Sequence, residues 1–390
     1  MNLLLKKNIV FIYILGVLFA NRFLDIVIGD YLYRLSIMTI VTMLLYIVLL
    51  IYKGQQDILM TVFISLLLLY SVVQLQYYNF LDIFQWTIPL VVFMTTISVV
   101  RKLINTEQAY INAVRAILIT SFILSIAILL SFVLFGIFQL HPSSGGITLF
   151  GIVKPFSYVE SGGFFNSHTG LWTTANVMTI AVLSLVFADY IKKPLYLYIY
   201  IFVLLIAVIL TVKKTALLGL ILIGFYFLKN NKIVMLFALI PIITIIFLGT
   251  DAEDSRIMVS YSQIESSGME GSTRFIRLNN GINSIIENPF FGSGPASVVW
   301  VHNGFVELWA NLGIISIPFF LWLIKNGILT KDRRKRAVYV VYIFSVFSFE
   351  SAINMQELMI FSGIIFAVVE SKSRLIANSS RQFINKTHGY

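Results

Sequence analysis

From Tyr196 to Gly249 three apolar runs follow one another with nothing between them but Lys213-Lys214 and the four residues Lys229-Asn230-Asn231-Lys232. A helix needs roughly 17 to 25 apolar residues to cross a hydrocarbon layer about 30 Å thick, where its backbone polar groups must bond within the helix itself. Runs this close together can fold only as tight hairpins of membrane-spanning helices. The same reading along the chain gives twelve spans, near residues 9–21, 35–52, 58–76, 83–100, 113–139, 171–189, 194–212, 214–229, 231–249, 303–324, 337–350 and 355–370. Composition closes off a water-soluble alternative, since 58% of the residues are hydrophobic and 12% charged, against about 25% charged in ordinary soluble domains. The expected fold is therefore an all-α polytopic membrane protein, one transmembrane domain over residues 1–390. Pro89, Pro241 and Pro318 fall inside spans and are expected to kink them. The chain has no cysteine, which excludes disulfides and thiolate metal sites. Lys6 and Lys7 precede the first apolar run without a small-residue cleavage site, so that run is expected to be a retained span.

Alternate connections differ in charge. With the amino terminus in the cytoplasm, 20 of the 28 Lys and Arg residues fall on the cytoplasmic side, together with only 5 of the 18 acidic residues. Basic residues near span ends resist translocation, so both termini, including a tail at 371–390, are expected inside. The basic balance then reports topology and an anionic inner leaflet, not nucleic acid. The cations left outside need a separate reason. Lys213 and Lys214 sit in a hairpin, and Arg256, Arg274 and Arg277 in a long outer loop. A lipid pyrophosphate at the outer surface would supply that reason. Pairing with nearby acids such as Asp251, Glu253 and Asp254 is the other account, and for Arg256 the better one.

Two outer connections are long. Residues 140–170 are rich in Gly, Ser and aromatics, which suggests a structured loop, and they include Asn166 and His168. Residues 250–302 form the main outer loop. Within it, residues 274–287 have helical periodicity: Phe275, Leu278, Ile282, Ile285 and Ile286 share one arc, while Arg274, Arg277, Asn280, Gly281, Ser284 and Glu287 lie opposite. Such an interfacial helix would lie at the outer membrane surface with its arginines turned toward the bundle. Guanidinium groups suit phosphate because their planar donors bind two oxygens at once. The turn Gly292-x-Gly294 permits a close approach of backbone N–H groups to a ligand, although most such turns are merely turns. His302 and Asn303 then stand at the mouth of a span, followed by Phe305, Glu307 and Gly313. A histidine there is either a hydrogen-bonded structural residue or a general base, its ordinary pKa of about 6.5 suiting the second role. Glu307 lies five residues on, roughly 140° around a helix, and so is a poor partner for His302.

Arg274, a helical run, Asn288-Pro289, Gly292-x-Gly294 and His302-Asn303-x-Phe305-x-Glu307 with Gly313 together resemble the signature of the bacterial O-antigen ligase and O-antigen polymerase family. Gly163-Phe164-Phe165-Asn166 leading into a span and the basic pair in VKKTALLG are similar too, so the resemblance covers about residues 160–325. It implies a C-type glycosyltransferase fold in the cytoplasmic membrane, with an outward cavity under a long outer loop. It also implies a membrane glycosyltransferase whose donor is a glycan on undecaprenyl pyrophosphate. Flippase and chain-length regulator proteins would be its partners, alongside membrane lipid. Residue by residue, the family's loop arginine falls on Arg274 and its histidine on His302. An arginine usual at the start of a span falls on Lys213 or Lys214, a departure that keeps the charge and loses the bidentate fork. Arg277 can take over part of that work. Asn303, Glu307, Gly292, Gly294, Asn166 and His168 are supporting candidates.

The reaction implied is attack by an acceptor sugar hydroxyl on the donor's anomeric carbon. His302 would orient or deprotonate the hydroxyl, and Lys213, Lys214, Arg274 and Arg277 would stabilise the departing pyrophosphate. No Asp-x-Asp cluster is found on the outer side, so neither a metal nor another cofactor is expected. A polymerase is favoured over a ligase. A twelve-span transporter remains the alternative from another class, with its substrate site at the midplane between two related halves.

Overall fold

A computed structural model describes residues 8–17, 25–28, 33–51, 58–131, 147–149, 152–154, 181–211, 214–227, 273–299, 301–348 and 356–387. These residues are mostly helical. Three helical stretches are long and apolar enough to cross a membrane, Phe80–Leu103, Glu107–Leu130 and Gly304–Gly327, and four shorter apolar helices accompany them. The expected spans 231–249 and, for most of its length, 171–189 lie outside the described residues, as does Pro241. The chain forms two compact units, one of Met1–Leu118, Ile315–Val340 and Met355–Tyr390, the other of Ile119–Ile314 and Val341–Asn354.

The first unit contains α1 (Asn8–Val17), a hairpin of β1 (Asp25–Ile28) and β2 (Tyr33–Ser36), α2 (Ile37–Ile51), α3 (Ile58–Gln74), α4 (Phe80–Leu103) and the start of α5 (Glu107–Ser131). Its core is α4, buried on nearly every side from Leu90 to Val100, which is why its apolar residues run all round the helix and show no single stripe. Asn79 caps α4 by accepting from the Leu81 N–H at 3.0 Å, Asp82 lies in its first turn and Arg101 and Lys102 in its last, so both ends of the helix dipole are complemented. Pro89 is carried within the unbroken helix. Buried hydroxyls are paired across neighbours, Tyr13 with Thr42 at 2.8 Å and Ser71 with Thr87 at 3.1 Å.

The second unit contains the rest of α5, a hairpin of β3 (Ile147–Leu149) and β4 (Ile152–Lys154), a 3-10 helix at Val182–Tyr190, α6 (Pro194–Thr211), α7 (Lys214–Phe227), α8 (Thr273–Glu287) and α9 (Gly304–Leu312). Beyond α9 follow a 3-10 turn at Gly313–Ser316, α10 (Ile317–Gly327), α11 (Arg333–Val341), a π-helical turn at Tyr342–Phe347 and α12 (Gln356–Thr387). Of these, α10, most of α11 and α12 belong to the first unit. There Phe93, Phe319, Trp322, Tyr339 and Phe366 interlock, with Tyr339 stacked on Phe366 at 4.2 Å and Phe93 edge-on to Trp322 at 5.9 Å.

The structure departs from the sequence expectations in four places. Two short antiparallel hairpins add strand to the all-α expectation, each in a connection between apolar runs, the second within 140–170. The expected span 303–324 is broken at Gly313, whose φ of 53° and ψ of −131° end α9 before the chain re-enters helix. Pro318 lies in the first turn of α10, where its missing N–H has no helical acceptor to serve, so it starts a helix where a kink was expected. Finally, α12 continues through the expected tail as far as Thr387.

Candidate functional site

The site is built on α8, α9 and the strap of residues 288–303 that joins them. Gly281 lets the two helices touch: a Cβ there would lie 2.8 Å from Val306 Cγ1 and 3.3 Å from Val301 Cγ1. Three residues on, Ser284 Oγ lies 2.6 Å from Ser293 Oγ and donates at 3.4 Å to the Ala310 carbonyl. Both helices therefore run the same way, with their amino ends at one end of the pair.

The turn after α8 is locked into the end of α9 by exchanged backbone bonds. Ile314 N–H would meet the Ala310 carbonyl in a continuous helix. It donates instead to Phe290 O at 2.8 Å, and Ala310 O accepts from Ser293 N–H at 2.8 Å. Gly294 N–H donates to Asn311 O at 3.2 Å and Gly292 N–H to Asn288 O at 3.0 Å. The Ser293 and Gly294 amides thus serve the helix break, satisfying carbonyls that apolar surroundings would otherwise leave costly, while that of Gly292 closes the end of α8. Gly292 and Gly313 both have positive φ, and a Cβ on them would fall within 2.5 Å of Asn311 C and 2.2 Å of Phe290 O, so only glycine fits this joint.

Asn311 holds the strap from below. Fully buried, it donates through Nδ2 to Val298 O and Glu307 O, both at 2.7 Å, and accepts at Oδ1 from Val298 N–H and Ser297 Oγ, both at 3.1 Å. Every hydrogen-bonding position of the amide is used. Four residues beyond Val298 the chain turns at His302, one of two non-glycine residues with positive φ among the described residues, at 58°. Histidine tolerates this left-handed region better than most side chains do. His302 is half-buried, with Nδ1 out of solvent. Asn303 caps α9, accepting from Phe305 and Val306 N–H at 3.1 Å each, and its Nδ2 donates to Ser348 O at 3.3 Å. Phe347 closes the mouth, edge-on to Phe305 at 4.7 Å and so near Gly304 that a Cβ would meet its ring at 2.8 Å. Glu307, one turn in, is completely buried.

Arg277 is exposed on α8, four residues before Gly281, while His302 lies four residues before Val306 in the strap, so the two share the amino end of the helix pair. It has no ion-pair partner among the described residues. Arg274 lies in the first turn of α8 and Lys214 opens α7; Lys213, Asn166 and His168 lie outside the described residues. Gly219, five residues into α7, packs on Ser345, less than a turn from the Ser348 that holds Asn303. The structure therefore sets His302, Asn303 and Glu307 toward the amino end of the pair with Arg277, and Gly292 and Gly294 at its other end, against Asn311. It adds Ser293, Ser297 and Asn311, which the sequence reading did not single out, and gives Ser284, placed there only on the polar arc of the helix, a packing role. A buried amide inside an apolar run was the available signal for Asn311, because such a group has to be fully bonded.

No protein family, no curated protein and no solved structure matches the chain.

Proposed function

We propose that this chain is a polysaccharide polymerase of the bacterial cytoplasmic membrane, joining oligosaccharide repeat units carried on undecaprenyl pyrophosphate at the outer face. The reading keeps twelve spans, both termini inside and a C-type glycosyltransferase architecture. What supports it is the parallel pair of α8 and α9: Arg277 and His302 lie toward its amino end, and Arg274 is in the first turn of α8. Two helix amino termini add positive potential there, and an anion is the ligand such a place favours. With the proposed alternation of spans, α7 runs antiparallel to residues 341–348, and the Gly219–Ser345 contact would set the start of α7, where Lys214 stands, toward the same end.

In the proposed reaction an acceptor hydroxyl oxygen bonds to the donor's anomeric carbon as the bond from that carbon to the pyrophosphate oxygen breaks. The hydroxyl proton passes to His302, and the electron pair leaves on undecaprenyl pyrophosphate. Arg274, Arg277 and Lys214 stabilise the leaving charge, the electrostatic contribution that commonly dominates such steps. Asn303 and Asn311 hold the strap, and their amides are committed to backbone partners. The two compact units interleave along the chain and do not divide it near residue 190, which favours transfer over a transporter of two successive halves. Replacement of His302 by Ala in cells should abolish long polymer while the protein still inserts. Unchanged polymer length and yield would end the general-base role.

A further inference from the structure

We infer that the Pro289-Phe290-Phe291 turn is a membrane anchor, with its two phenylalanines inserted among the acyl chains of the outer leaflet. Seen around its axis, α8 has three arcs. Gly281 and Ser284, buried, and Leu278 and Ile285, half-buried, face the protein; Asn279, Asn280, Asn283 and Glu287 are exposed and polar, with Ile276 exposed among them; Ile282 and Ile286 are exposed and apolar. A helix in plain water has no use for the third arc, whereas one at a lipid boundary needs all three. The apolar arc leads directly into the turn, where Ile286 is 71% exposed and Phe290 and Phe291 are each 67% exposed.

The turn's attachment identifies what covers it. Phe290 O accepts from Ile314 N–H, and Ile314 begins an exposed apolar stripe, Ile314, Ile317, Leu321, Ile324 and Ile328, at helical spacing along the stretch that includes α10. A stripe of this kind on an apolar helix faces lipid. Ile314 stands near the middle of Gly304–Gly327, a stretch long and apolar enough to cross a membrane, so a turn bonded to it lies at the depth of the hydrocarbon. The bonded Phe-Phe turn with Ile286 presents its exposed apolar side chains at that level. Much of the turn's backbone is already bonded, which lowers the cost of entering hydrocarbon. Pro289 has no N–H, its carbonyl accepts from Trp309 Nε1 at 3.1 Å, and Phe290 O and the amides of Gly292, Ser293 and Gly294 are all bonded. The inference stands whether or not the glycosyl-transfer reading holds.

The chain has no cysteine, so single-cysteine variants of the full protein report without background. Phe290→Cys, Phe291→Cys and, as a water-facing reference, Asn280→Cys are reconstituted in phosphatidylglycerol/phosphatidylethanolamine nanodiscs. Reaction with a membrane-impermeant maleimide should be at least tenfold slower at positions 290 and 291 than at 280. Bimane attached in detergent before reconstitution should be quenched by nitroxide-labelled phospholipid at 290 and 291 and much less at 280. Equal maleimide rates at the three positions would place the turn in water, and slow reaction without lipid quenching would place it under protein; either result overturns the inference.

Discussion

Two polar clusters, one in each compact unit, use charge in opposite ways. In the first unit Glu370, nearly buried, is bound by Arg101 at 3.1 Å, by the hydroxyl of Tyr339 and by Lys335 at 4.0 Å, and Lys335 also donates to Asn326 at 2.7 Å. Arg374 donates to the carbonyls of Arg101 and Ile104 at the end of α4. Burial and then the neighbouring Arg101 lower the Arg374 pKa from its ordinary value, while Glu370 works against them. In the second unit the bonds that hold the strap come from neutral groups, Asn311, Asn303, Ser284 and Ser297, with the carboxylate of Glu307 buried in α9 beside them, and the exposed Arg277 has no ion-pair partner among the described residues. Where an acid matches the cations, charge ties α4 to α12. Where neutral amides carry the structure, cations remain available for a ligand.

This contrast can be broken by substitution. The largest effect on stability is expected from Glu370→Ala, which leaves Arg101 and Lys335 without their acid: about 3 to 5 kcal/mol, read as a fall in the thermal midpoint of the purified protein. A midpoint within a degree or two of the parent would show that the cluster is not a structural tie. Next, Arg274→Ala should lower polymer synthesis by roughly 100- to 1000-fold with the midpoint unchanged, the signature of a cation serving a leaving group. Normal turnover by that variant would remove the pyrophosphate role. Asn311→Ala comes third, at about 2 kcal/mol, because Val298 N–H and its carbonyl lose their partners in a buried setting. Its activity loss should follow its unfolding and recover on cooling, and a cold, folded variant that stays inactive would mean that Asn311 does more than hold the strap. Smallest is Arg277→Lys, expected to cost a few-fold in rate since charge survives and the fork does not. A loss as deep as that of Arg274→Ala would assign the main anion contact to Arg277.

Much of the helical order was legible because apolar runs have to become helices in lipid: 58–76, 194–212 and 214–229 differ from the observed elements by two residues or fewer. The break at Gly313 was not, since nothing in an apolar run announces that Phe290 O will take the Ile314 N–H. Pro318 misled for the same reason, as its position in a helix depends on where that break falls. The interfacial periodicity of 274–287 was readable and the side that packs was partly so: Gly281 and Ser284 do face α9, while Arg277, placed on the same arc, points to solvent. The Gly-x-Gly turn looks from sequence like a cradle for a ligand, yet its amides bond to carbonyls, that of Gly292 to Asn288 in its own turn and that of Gly294 to Asn311, which only the fold brings near. Asn303 and Asn311 show the converse, ordinary polar residues whose backbone partners fix the histidine's neighbourhood.

The central claim is that a lipid diphosphate leaves from the end of the α8–α9 pair. It is tested most directly by incubating the purified protein in nanodiscs with one undecaprenyl-pyrophosphate-linked repeat unit and nothing else. The account predicts a ladder of longer lipid-linked chains, with one undecaprenyl pyrophosphate released for each bond formed, and no ladder from His302→Ala. A donor that stays intact, with no diphosphate carrier released by folded protein, would contradict it.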